Sequence, residues 1–220
     1  SVYITIYNIF NMTWTESASL HIDDKDNNQF FSKIIDTTLR LFTAICFGII
    51  VCMPFIFPIM INEKFGQAYN QIPILMISSL FNVVVGLISV IYIAKKDTKA
   101  VAKTSVCSAI INVVVNLALI KFVGLYAASI STLAAYLIMS VYRMYDVRKY
   151  IKIDLNKNFI ISVMVMIPVI FVCYYINNLY LNITMILLVL IYAWLINKKS
   201  VNLIINMVRG KFLKKGVQNG

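Results

Sequence analysis

Apolar residues run along the chain in seven long stretches parted by short polar connectors. They are Val2–Leu20, Ile34–Ile61, Tyr69–Ala94, Ala100–Ile120, Leu125–Tyr142, Phe159–Ile176 and Leu179–Ile196. Each reaches the roughly 17–25 residues that a helix needs to cross the hydrocarbon core of a bilayer. No water is present there to satisfy backbone N–H and C=O groups, so stretches of this kind fold as helices. The pattern predicts an all-α integral membrane protein with about seven transmembrane helices, and a mean hydropathy of +0.82 fits that class.

The connectors alternate in charge. One set holds Lys25 and Lys33, then Lys95, Lys96, Lys99 and Lys103, then Arg143, Arg148, Lys149, Lys152 and Lys157. The tail adds Lys198, Lys199, Arg209, Lys211, Lys214 and Lys215. The other set holds only Lys64 and Lys121, and Arg40 lies inside a stretch. The positive-inside rule makes the basic face cytoplasmic, with residue 1 outside and the C-terminus inside. The net charge of +11 is therefore read as a topology signal, and no nucleic-acid partner is expected. An odd number of spans, an outside start and Ser1 in first place give the expectation of a C-terminal part of a longer chain.

Candidate chemistry is sparse. Cys46, Cys52, Cys107 and Cys173 all fall in apolar stretches without C-x-x-C spacing, and read as small interior residues. His21 is the only histidine and sits at a stretch end. No Walker A loop, G-x-S-x-G, H-E-x-x-H or paired-Asp motif occurs, so neither ATP hydrolysis nor covalent catalysis is expected, and no metal or cofactor.

Polar residues inside the stretches mark faces. Thr5, Asn8, Asn11, Thr15, Glu16 and Ser19 recur at three- and four-residue steps and share one side of a helix. Ser78, Asn82 and Ser89, with Ser79 and Gly86 beside them, form a second stripe; Ser105, Ser108, Asn112 and Asn116 form a third. Three stripes in one bundle line a shared polar cavity or hydrogen-bond between packed helices, the latter at about 0.6 kcal/mol each. Ionisable residues inside spans are costly and are functional candidates by default. Asp36 and Arg40 stand four apart and can pair. Arg40 is the candidate cavity cation, with Glu16 or Asp36 as counter-ion. Pro54 and Pro58 each remove a helical hydrogen bond and predict a hinge near the end of the second stretch. Pro73 fits a first helical turn, and Pro168 is read as structural. Ala127, Ala128, Ser131, Ala134 and Ala135 give the fifth stretch a small-residue surface. The last two stretches carry few polar residues and read as a peripheral hairpin. Val201–Lys215 mixes apolar and basic residues as an amphipathic helix lying on an anionic leaflet does.

The order of these elements resembles a known family. The residues that carry the resemblance are NMTWTESASL at Asn11–Leu20, Phe30–Phe31–Ser32–Lys33, and a hinge at Asn62–Tyr69. They continue with Pro73-Ile-Leu-Met, the Lys-Lys connector, the Asn112/Asn116 pair in Ala109–Lys121, and Val123-Gly-Leu-Tyr-Ala-Ala-Ser-Ile-Ser-Thr. Together they resemble the C-terminal half of Wzx-type polysaccharide repeat-unit flippases of the MOP exporter superfamily. The resemblance covers about 11–152. It implies a MATE-like fold of two helical lobes with alternating access around a central cavity. It implies residues 1–152 as helices of the C-terminal lobe, whose N-terminal partner lobe is missing. Residues 153–197 then form an extra hairpin and 198–220 a basic cytoplasmic tail. The implied activity is flipping of an undecaprenyl-diphosphate-linked oligosaccharide across the bacterial inner membrane for surface polysaccharide such as O-antigen. The implied partners are that lipid-linked oligosaccharide, bilayer lipids and H⁺ or Na⁺.

On this reading Arg40 meets the diphosphate, and Asn8, Asn11, Asn82, Asn112 and Asn116 line the cavity. Glu16 and Asp36 become candidates for ion coupling. The alternatives are a multidrug exporter of the same superfamily and a non-transporting membrane fragment.

Overall fold

A computed structural model of the chain describes residues 2–60 and 66–218, with side chains as far as residue 198 and at Val201. All its regular elements are helices: α1 Val2–His21, α2 Asn27–Met60, α3 Gly66–Tyr69, α4 Ile72–Ala94, α5 Thr98–Val123, α6 Tyr126–Asp146, α7 Lys157–Ile176 and α8 Leu179–Gln218. A 3₁₀ turn, Val147–Lys149, continues α6. Among the described residues six helices are long and apolar enough to cross a membrane: α2, α4, α5, α6 with its 3₁₀ turn, α7 and the Leu179–Lys198 part of α8. This is the architecture of a multi-pass membrane protein.

The seventh expected span is corrected. Val2–Leu20 does form a helix, but it is not among the six. Asn8, Asn11, Glu16 and the Thr and Ser residues between them dilute its apolar content too far. α1 is nonetheless packed into the bundle by its aromatic face. Tyr3 donates from its hydroxyl to the Phe42 carbonyl at 3.2 Å, and the Trp14 indole N–H donates to the Leu87 carbonyl at 3.3 Å. Tyr3 and Tyr7 both set their rings edge-on to Phe42. Tyr7 also fills a notch at Gly86, where an added Cβ would collide with the tyrosine hydroxyl and meet its ring carbons at 2.8 Å.

Local chemistry sets the helix ends. Asp97 caps α5 by accepting from the Ala100 amide, and Asn156 caps α7 by accepting from Asn158 and Phe159. α5 stops at Gly124, which has φ +56°, and α7 at Asn177, which has φ +47° in the left-handed region. Pro73 occupies the first turn of α4. α2 is helical through Pro54 and Pro58 to Met60. It begins seven residues before the apolar stretch does, because Asn27–Lys33 is a polar helical extension. Asn62–Phe65 of the expected hinge, Lys64 included, lies outside the described residues. So do the side chains of residues 202–215, on which the amphipathic reading of the tail rests; the backbone there continues α8 as helix.

α4 is the hub, packed against α1, α2, α5 and α6; its apolar window is 56 % buried, against 6 % for α5. α2 joins that group to α7 and α8, which otherwise pack on each other. The basic connectors meet at one end of the bundle. Lys95 pairs with Asp23 at 2.7 Å, and Lys149 pairs with Asp146 at 3.0 Å and Asp97 at 3.5 Å. Between α6 and α7 the chain runs extended along α2 as a strap. The Lys152, Asp154 and Asn156 amides donate in turn to Asn28 Oδ1, Ser32 Oγ and Asp36 Oδ1, at 2.9, 2.9 and 3.4 Å. Every second strap residue meets every fourth helical residue. Two extended residues advance roughly 6.6 Å and four helical ones about 6 Å, so the two repeats keep step.

Candidate functional site

The polar stripes of α4 and α5 converge on a cavity of about 420 Å³ closed by α6. Asn82, Gly86 and Ser89 come from α4, and Ser105, Ser108 and Asn112 from α5. The sixth helix contributes Arg143, which is 1 % exposed and, among the described residues, the only buried charged side chain. The α5–α6 hairpin explains its position. Ser105 precedes Gly124 by nineteen residues and Arg143 follows it by nineteen (124 − 105 and 143 − 124), so antiparallel pairing across a short turn sets them level.

Arg143 is held entirely by neutral oxygens. Its Nε donates to Thr104 Oγ1 at 2.9 Å. Nη1 donates to the Val85 carbonyl at 3.4 Å and to Ser89 Oγ. Nη2 donates to Thr104 Oγ1 at 2.6 Å, to Ser105 Oγ at 3.0 Å and to the Val101 carbonyl at 3.0 Å. A guanidinium stays charged, and no carboxylate among the described residues pairs with it. The result is a polar hollow with a fixed positive charge in its wall.

Arg40 is differently placed. Its Nε and Nη2 donate to Asp36 at 2.7 and 3.3 Å, Nη1 reaches the Ile196 carbonyl at 3.3 Å, and the guanidinium lies 4.7 Å from the centre of the Phe159 ring. It therefore ties α2 to α7 and α8 and is not among the cavity residues. Asp36 is its counter-ion, and that pairing agrees with the spacing in the sequence.

Of the other expected residues, Asn82 and Asn112 line the cavity. Asn116 is half-buried one turn beyond it on α5. Asn11 accepts from the Tyr7 hydroxyl at 3.0 Å, beside the Gly86 wall. Asn8 and Glu16 point away from neighbouring helices, Glu16 without an ion pair. Pro54 packs near Tyr174 and Asn182 of α7 and α8, and Pro58 is exposed. By sequence Arg143 stands one residue past the end of the fifth stretch, among the connector residues; the helix runs on to Asp146 and carries it inside.

A second cluster ties α4, α5 and α6 together at their basic end. Tyr92 donates to Asp146 at 2.7 Å and Tyr150 to Asp97 at 2.7 Å, with Lys149 between the two carboxylates. The Tyr150 hydroxyl, then the Ala100 amide, hold the Asp97 carboxyl below its ordinary range; the same bond pushes the Tyr150 phenol up.

No family model, no curated protein and no solved structure matches this chain.

Proposed function

We propose that this chain belongs to a membrane transporter for an anionic, lipid-linked oligosaccharide, which it moves from the basic, cytoplasmic side of a bacterial inner membrane to the outer leaflet. The observation that carries the proposal is Arg143: a buried cation with no carboxylate partner among the described residues, in the wall of a polar cavity inside an apolar bundle. Such a charge is expensive inside a membrane protein and is repaid when an anion approaches. Asn82, Ser89, Ser105 and Asn112 add the neutral donors and acceptors that sugar hydroxyls need. The ordered resemblance to Wzx-type flippases supplies the cargo class and the two-lobe arrangement. In this proposal Arg143 replaces Arg40 as the diphosphate-facing cation. Glu16 is the carboxylate left for H⁺ or Na⁺ coupling, because Asp36 is committed to Arg40 and to the strap.

The test is deletion of the gene in its own bacterium. The expected outcome is loss of surface polysaccharide with accumulation of lipid-linked repeat units. The wild-type gene restores export and Arg143→Ala does not, while Arg40→Ala exports at least about tenfold more than Arg143→Ala at equal membrane abundance (about 1.4 kcal/mol). Unchanged surface polysaccharide in the deletion strain overturns the proposal.

A further inference from the structure

On the side of the α5–α6 pair away from α4 lies a separate groove of about 370 Å³. Lys103 stands at one end with Tyr142, and the groove then runs past Thr104 and Cys107 to Ile111 and Ile138. From Lys103 to Ile111 is eight helical residues, roughly 12 Å. Half of the hydrocarbon core is about 15 Å thick, so the groove spans nearly the depth of one leaflet. Its long walls are apolar, and only the end nearest the basic connectors is charged.

From this geometry we infer that the groove is a binding site for one anionic glycerophospholipid of the leaflet on the basic side. One acyl chain lies between Ile111 and Ile138, and the phosphate meets the ammonium of Lys103. Three observations favour an anionic headgroup over a zwitterionic one. Lys103 is exposed and has no acidic partner among the described residues. Lys99, one turn earlier on the same face, is likewise exposed and unpaired. Behind the groove wall, Thr104 Oγ1 rests 2.6 Å from the Arg143 guanidinium, so a second, uncompensated cation adds its field to the same end. The groove and the polar cavity share a wall at Ser108 and Met139, where the Ser108 hydroxyl donates to the Ala135 carbonyl at 3.2 Å, and the inference rests on the groove's own residues and not on the transported cargo.

The experiment is native mass spectrometry of the full chain in detergent, titrated with phosphatidylglycerol or phosphatidylcholine of matched chains. The wild type is expected to retain phosphatidylglycerol at least threefold better. Lys103→Ala brings the two lipids to near parity, and Lys103→Arg keeps the preference. Ile138→Trp fills the groove and lowers retention of both lipids. Soluble glycerol phosphate does not displace the bound lipid. Circular dichroism confirms that each variant is folded; Lys103→Arg and Lys103→Ala both alter an exposed side chain and keep the helix. Equal retention of the two lipids by the wild type, an undiminished preference in Lys103→Ala, unchanged retention in Ile138→Trp, or displacement by glycerol phosphate each overturns the inference.

Discussion

Two arginines divide the molecule. Arg40 lies on the α2–α7–α8 side, paired with a carboxylate one turn away, partly exposed, and pressed on Phe159. Arg143 lies on the α4–α5–α6 side, fully enclosed, and bonded only to hydroxyls and carbonyls of two other helices. The first is neutralised by its own helix and serves as a fastener between helices. The second keeps its charge available to the cavity beside it. Distance from the end of an apolar stretch ranks them in the wrong order, since what matters is which neighbours surround the guanidinium.

The largest effect is expected from removing Arg143. Arg143→Leu removes the guanidinium's bonds to five oxygens on α4 and α5 and loosens α6 from both helices. At about 0.6 kcal/mol per buried membrane hydrogen bond, the loss is roughly 3 kcal/mol, measurable by unfolding in mixed micelles. A stability equal to wild type would show that the α4–α5–α6 junction rests on apolar packing alone.

Next comes Gly86→Ala, which drives a methyl group into Tyr7, the α1 side chain packed against Gly86. Overpacking of this kind costs about 1–3 kcal/mol, and the double variant with Tyr7→Ala should recover part of it. Failure of Tyr7→Ala to relieve the defect would place the strain elsewhere.

A smaller effect is expected on the Arg40 side. A double-mutant cycle of Asp36→Ala and Arg40→Ala should give a coupling energy below about 1 kcal/mol, because both side chains reach solvent and are screened. A coupling as large as the Arg143 loss would erase the contrast between the two sites.

The smallest effect is in pH. The folded Asp97 carboxyl titrates below its unfolded range, so its contribution is present above about pH 4 and fades as pH falls through the folded value. Asp97→Asn should flatten the acid side of the unfolding profile; an acid limb as steep as the wild type's would show that Asp97 does not contribute to it.

Helix class and the grouping of basic connectors were legible in the sequence, because lipid solvation leaves a chain few choices. The Asp36–Arg40 pair was legible for the same reason that any i, i+4 pair is. Asn82 and Asn112 could be placed on helix faces, and those faces do meet. Arg143 was not legible from hydropathy, since a residue just past an apolar stretch looks like the start of a connector. Its enclosure depends on Thr104, Ser89 and Ser105 arriving from other helices. The hairpin symmetry about Gly124 was the available clue, because it sets Ser105 and Arg143 at one depth. α1 differs: its length satisfies the bilayer, but its polar side keeps it out of the six apolar helices, and its aromatic face, with Tyr3, Tyr7 and Trp14, packs it into the bundle.

The strap between α6 and α7 behaves as a ruler with discrete marks. Its amides engage α2 only at alternate residues, so inserting one residue between Ile151 and Lys152 turns all three donors away from their acceptors. Inserting two brings the Lys152 and Asp154 amides to Ser32 and Asp36 and displaces the start of α7 by roughly 6 Å, about a fifth of the hydrocarbon thickness, but leaves the Asn156 amide facing Arg40, which has no acceptor. The strap therefore shifts along α2 by whole rungs and not by fractions of one, and Arg40 marks the end of the scale.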